Sequence, residues 1–154
     1  MKNIVFIIAL AFLSASAFGQ KVNFTGEWKL NESKSELGYE FSLAPLAITV
    51  EHAKKTLDLT NLNEWDGQEY ESKQHFTLDG EVCENRGPMD SVTKSTAGFD
   101  KKAGKLKIVT NGDMGGMEYT LTQVMSLKEG QLVVESEAAS DMGEMFETFV
   151  FDKQ

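Results

Sequence analysis

The chain has 154 residues, with 24 Asp and Glu against 15 Lys and Arg, for a net charge of −9 at pH 7. That balance repels polyanions and excludes nucleic acid and anionic membrane surfaces as partners. One cysteine, Cys83, leaves no internal disulfide, and it reads as a small buried apolar residue rather than an intermolecular link or a nucleophile.

The first residues are expected to lie outside the fold. Lys2 precedes an apolar run from Ile4 to Leu13, followed by the small residues Ser14-Ala15-Ser16-Ala17. This is the plan of a secretory signal peptide, and the run is short for a membrane span. Residues 1–19 are therefore assigned as signal, with cleavage after Gly19 favoured over Ala17. Without a cysteine at the cleavage zone, no lipid anchor is expected. The mature protein is expected to be secreted or periplasmic, with no stable membrane insertion once the signal is removed. Residues 20–154 are long enough for one domain with a full core.

Phe24, Trp28 and Leu30 alternate with Thr25, Glu27 and Lys29. Period-two alternation marks a half-buried strand. Gly26 on the inner face leaves room for a neighbour, and Trp28 is large enough to fill one end of a barrel. Residues 31–38 read as a polar loop or single turn, and Tyr39 to Pro45 as irregular. Leu46, Ile48 and Val50 share the next inner face, and Leu57 and Leu59 the one after. Asn63–Gly67 reads as a loose loop.

The cleanest alternation follows. Tyr70, Ser72, Gln74, Phe76 and Leu78 share a face, and Leu78-Asp79-Gly80 signals a hairpin. A short strand over Glu81–Arg86 ends at Gly87–Asp90, and a weakly patterned strand spans Ser91–Phe99. Leu106 and Ile108 face inward before a glycine-rich loop at Asn111–Gly116. Met117, Tyr119, Leu121, Gln123, Met125 and Leu127 line one face of a long strand. Leu132, Val134 and Ser136 face inward on the next, and Met145–Phe151 is the last. Asp113-Met114-Gly115-Gly116-Met117 and Asp141-Met142-Gly143-Glu144-Met145 form a weak internal repeat.

No stretch after the signal has helical periodicity. About 8–10 short antiparallel strands joined by brief turns give an all-β chain, best closed as an up-and-down barrel; a two-sheet sandwich is the alternative. In such a barrel alternate connections share an end. The looser ones, carrying Trp65, Met89, Met114, Met117, Met142 and Met145, are expected at one mouth.

Gly26-Glu27-Trp28-Lys29-Leu30 resembles the Gly-x-Trp feature of the calycin group, the lipocalins and fatty-acid-binding proteins. With Lys34-Ser35, Asp79-Gly80, Leu132-Val133-Val134 and Met142-Gly143-Glu144 in order, the chain resembles secreted bacterial lipocalin-like proteins of uncharacterised function. The resemblance implies a β-barrel, a small apolar ligand and no enzyme activity.

The candidate cavity residues are Tyr70, Ser72, Gln74, Phe76, Arg86, Tyr119, Gln123 and Ser136. A filled core would prefer apolar residues at Ser72, Gln74, Gln123 and Ser136, because an unpaired buried polar group costs about 1–3 kcal/mol. Polar groups there imply waters or an amphipathic ligand; mutual hydrogen bonding is the plain alternative. Arg86, the sole arginine, would grip a ligand carboxylate if it pointed inward with Val82, or sit on the surface beside Glu84. Met-x-x-Met at Met114/Met117 and Met142/Met145 suits Cu(I), but a permissive apolar rim explains it better, so no metal or cofactor is assigned. Trp65, Met89 and Met114 would otherwise serve a protein partner. Carboxylates fall on outward faces, and no nucleophile elbow, zinc spacing or phosphate loop is present. The expectation is a non-catalytic binding protein.

Overall fold

The computed structural model describes residues 21–154, so the signal assignment at 1–19 lies outside the described residues. Ten strands run in sequence: β1 (Gly26–Leu30), β2 (Ala47–His52), β3 (Thr56–Trp65), β4 (Gln68–Thr77) and β5 (Cys83–Arg86). They continue through β6 (Val92–Asp100), β7 (Lys105–Met114), β8 (Met117–Lys128), β9 (Gln131–Ser140) and β10 (Gly143–Lys153). Single 3-10 turns at Glu32–Lys34 and Pro88–Asp90 are the only helical residues among those described. Within them no helix is long and apolar enough to cross a membrane.

The strands form one antiparallel sheet in the order β4-β3-β2-β1-β10-β9-β8-β7-β6-β5. Most consecutive strands pair as neighbours, and β1 joins the two halves. It binds β2 on one side (Trp28 opposite Ile48) and β10 on the other (Trp28 opposite Lys153). The sheet curls into the expected barrel.

Closure is incomplete at one seam. Asp79-Gly80 does not make a β4–β5 hairpin; Asp79 Oδ1 accepts from Thr77 Oγ1 (2.8 Å) and from the Glu81 amide (3.1 Å), and Asp79 bridges to Gly98 on β6. No ladder joins β4 to β5. The Asn85 side chain takes its place. The His75 amide donates to Asn85 Oδ1 (2.7 Å) and Asn85 Nδ2 donates to the His75 carbonyl (3.0 Å). One amide side chain thus supplies a donor and an acceptor where a strand would have supplied backbone. Half-buried Cys83 lies on the same seam, with its Sγ 3.3 Å from the Thr77 amide.

The core sits at one end. Phe24, Trp28, Val50, Leu57, Phe76, Leu106, Leu132 and Phe151 are buried there, and Trp28 Nε1 donates to the Phe24 carbonyl at 2.9 Å. Gly26 and Trp28 thus hold their expected structural places. A Cβ on Gly26 would sit 3.3 Å from Lys153 Cε and 3.4 Å from Trp28 Nε1. The His52 ring stacks on Phe24 (centroids 5.4 Å) and meets Phe99 edge-on (5.2 Å).

Two outcomes test this floor. Trp28→Phe keeps most of the ring volume but leaves the Phe24 carbonyl unpaired; urea unfolding is expected to show a loss of about 1–3 kcal/mol. His52 has its pKa held below 6.5 by desolvation and, second, by Lys21. The folded state binds fewer protons there than the unfolded chain. Its stability contribution is therefore intact above the unfolded value and lost as pH falls through the lower folded one. Thermal scans are expected to show a fall in Tm beginning near pH 6.5, and His52→Phe is expected to remove that part of the fall.

Candidate functional site

Above the packed floor the barrel is hollow. An open cavity of about 1200 Å³ runs to the mouth between β3–β4 on one side and β6–β10 on the other. Its depth is apolar, with Ile48, Leu59, Met125, Val134 and Phe149 on the wall. Alternation along extended strands puts these side chains on the same face as the floor residues.

Polar side chains occupy the two flanks. Asn61 Nδ2 donates to Gln74 Oε1 across the β3–β4 ladder (3.3 Å), and Asn63 Nδ2 donates to Ser72 Oγ (3.0 Å). Opposite them, Thr93 Oγ1 donates to the Asn85 carbonyl (3.2 Å), and the Ser95 and Thr110 hydroxyls lie 2.8 Å apart. Mutual pairing accounts for part of the polar interior, in line with the plain alternative. Side-chain amides make up to four hydrogen bonds, so single cross-strand bonds leave capacity facing the cavity.

The Tyr119 ring lies over Gly112, its partner in the β7–β8 register. A Cβ at Gly112 would stand 2.5 Å from the ring, so only glycine fits beneath it. Burial raises the Tyr119 pKa above 10.0, keeping the phenol protonated and able to donate.

The predicted cavity residues divide. Tyr70, Ser72, Gln74, Tyr119 and Gln123 line the cavity. Phe76 is buried in the floor instead, paired with Leu57. Ser136 faces inward but is buried opposite Glu147, away from the cavity wall. Arg86 also borders the cavity, but its expected inward orientation requires correction. Cys83 and Asn85 pair with the buried Ser95 and Thr93, so their parity points inward and that of Arg86 outward. Arg86 stands at the rim, 80% exposed, with Nη1 2.6 Å from Asp90 Oδ1. Val82, which set the opposite expectation, is exposed in the connection before β5.

The mouth gathers as expected. Trp65, Met114, Met117, Met142 and Met145 all border it; Met89 is 81% exposed and does not line the cavity. Among the described residues no group of three His, Cys, Asp or Glu side chains is placed to hold a metal.

Sequence reasoning misses Asn61, Asn63, Thr93 and Thr110, and above all a strap. Residues 38–45 cross the mouth between β1 and β2, and Glu40–Pro45 line the cavity. The strap is held by Glu147, a 4% exposed carboxylate on the inner face of β10, contrary to the expectation that acidic residues all face outward. Oε1 accepts from the Gly38 amide (2.8 Å) and Oε2 from the Leu43 amide (3.0 Å). Gly38 is tightly folded: a Cβ there would lie 2.0 Å from the Phe41 carbonyl oxygen. A signal for it exists in the sequence, since Met145, Glu147, Phe149 and Phe151 share one face.

No protein-family model matches this chain, and no curated protein sequence does. Several solved structures match its backbone. Zebrafish ileal bile acid-binding protein complexed with cholic acid superposes with a TM-score of 0.59 at 17% identity, covering 85% of this chain and 98% of that one. The fold is that of the lipocalins and fatty-acid-binding proteins. A point mutant of the fluorescent protein UnaG gives 0.56 at 18% identity, with 84% and 95% covered. Human cRBP IV gives 0.51 at 14% identity, with 86% and 98% covered.

The strap generates a prediction. Glu147→Gln removes one of the two acceptors, and charge-assisted hydrogen bonds of this kind contribute about 1.5–3 kcal/mol each. Chymotrypsin is expected to cut at Tyr39 or Phe41 several-fold faster, with the far-UV circular dichroism of the barrel unchanged. An unaltered cleavage rate would show that the carboxylate does not hold the strap.

Proposed function

We propose that this chain is an exported, non-catalytic binding protein that holds a small apolar or amphipathic molecule inside the barrel. The open cavity carries the reading. A barrel of this size closes around a packed core unless its upper inner face is given over to something else. Here that face is lined by unfilled apolar depth and flanking polar groups, the composition typical of small-molecule sites.

The likeness to the zebrafish protein, whose structure is a complex with cholic acid, supports the same use of the fold here. The signal-like residues 1–19 support export. A protein-docking role is the competing reading, and it calls for a filled barrel; the hollow one favours a small ligand. The exposed Trp65, Phe41 and Met142 at the mouth then serve as an apolar approach to the cavity.

Native mass spectrometry of the mature protein from its own host is the direct test. The expected result is a co-purifying small mass that leaves on denaturation. A mass matching the bare polypeptide, with no uptake from a lipid extract of the same host, overturns the reading.

A further inference from the structure

The charge layout of the cavity goes further and, resting on the ligand-holding role above, specifies the class of ligand. Among the described residues, no lysine or arginine occupies an inward position within the cavity; Lys153, inward by parity on β10, lies at the closed end with its ammonium over the Trp28 ring. The polar atoms available inside belong to amides and hydroxyls: Asn61, Asn63, Gln74, Gln123, Thr110 and Tyr119. The one inward carboxylate, Glu147, has both oxygens engaged by strap amides. The one inward histidine, His52, is packed between Phe24 and Phe99 in the floor.

The rim is charged, and mostly of one sign. Glu40, Glu64, Asp66, Glu71, Asp90 and Glu144 all border the opening. Against them stand two cations. Lys73 shares the outward parity of Glu71 on β4 and borders the opening beside it, and Arg86 is engaged by Asp90, so carboxylates remain in excess.

An amphiphile with an anionic end meets this arrangement badly at both stages. It approaches through a ring of carboxylates, where like charges repel. Once inside, its charge gives up water and finds no opposite charge, the case in which burial of an ion is strongly unfavourable. An uncharged hydroxyl or amide meets neither obstacle. It exchanges hydrogen bonds to water for hydrogen bonds to side-chain amides that both donate and accept. A cationic end is favoured at the rim but equally unpaired in the depth.

We infer that the ligand is an uncharged amphiphile, an apolar body bearing hydroxyl or amide groups, and that the site discriminates against carboxylates.

The test is a chain-matched series offered to the mature protein at low ionic strength and about pH 8, where a fatty carboxylate is ionised. Dodecan-1-ol, dodecanamide, dodecanoate and dodecylammonium differ only in the end group, and binding is read by competition against an uncharged fluorescent probe such as Nile red. The alcohol or amide is expected to bind at least about tenfold more tightly than dodecanoate, an order-of-magnitude figure for an unpaired buried charge. Gln123→Arg, which places a cation in the wall, is expected to raise dodecanoate affinity by a comparable factor. Should that variant fail to fold, the comparison on the unaltered protein still decides. Dodecanoate or dodecylammonium binding as tightly as the uncharged pair overturns the inference while leaving the ligand-holding role standing. No displacement of the probe by any of the four overturns the inference, and absence of probe uptake as well overturns the ligand-holding role with it.

Discussion

Everything above the floor depends on the pairing of β1 with both β2 and β10. A sheet of ten strands has two edges, and joining its first strand to its last curls the sheet instead of leaving it open. β1 is short, five residues, so the junction is secured by what it carries. Trp28 fills the closed end and fixes its own indole on the Phe24 carbonyl. Its register with Ile48 and Lys153 sets the phase of the two half-sheets on either side. A one-residue slip here would turn β1 over and put Glu27 and Lys29 into the core.

With the floor plugged, the same strands divide their length between two tasks. Leu57 and Leu59 are buried, while Asn61 and Asn63 on the same strand and face line the cavity. Leu106, Ile108 and Thr110 repeat the change on β7. The lower half of each strand contributes packing and the upper half contributes a wall. The wall is less stabilising per residue, because a side chain beside a void lacks partner atoms on that side. The floor, dense in Phe, Leu and Val, offsets that deficit.

This division also explains what the sequence discloses. Where inner residues are apolar, alternation is plain, and the fold class, the strand number and the inward face of β2, β4, β8 and β9 all follow from it. Toward the mouth the inward residues are Asn61, Asn63, Gly112, Ala138 and Ser140. There apolar–polar alternation disappears although the strands continue. Asn63–Gly67, Asn111–Gly116 and Ala139–Gly143 therefore look like loose loops, whereas β3, β7 and β9 run on to Trp65, Met114 and Ser140. Their gathering at one mouth survives the error, since it depends only on the order of hairpins. Alternation misplaces Arg86 for a related reason. The inward residue of β5 is Asn85, a polar side chain committed to the seam, and the apolar Val82 beside it belongs to a connection. The inward face of Glu147 is legible in the alternation of β10, but its partners are not, because Gly38 and Leu43 lie over a hundred residues away along the chain.

The two breaks in the enclosure are secured in different ways, and that difference bears on which part of the wall opens first. At the seam, β4 and β5 are held in line by Asn85, with the Thr77–Cys83 contact beside it, and both strands remain laddered to β3 and β6 on their other sides. Opening the seam means moving two strands and the hydrogen bonds that anchor them. The strap has no ladder over residues 38–45, and both of its bonds to the β10 wall end on one side chain, Glu147. Releasing that single carboxylate frees residues 38–43 from the β10 wall without disturbing a strand, while Ala44 and the buried Pro45 stay packed at the base of the strap. Local opening follows the element with fewest bonds and least burial, and Phe41 and Leu43 on the strap are already exposed. Local opening is therefore expected at the strap, beside the mouth, and the seam serves as a fixed wall.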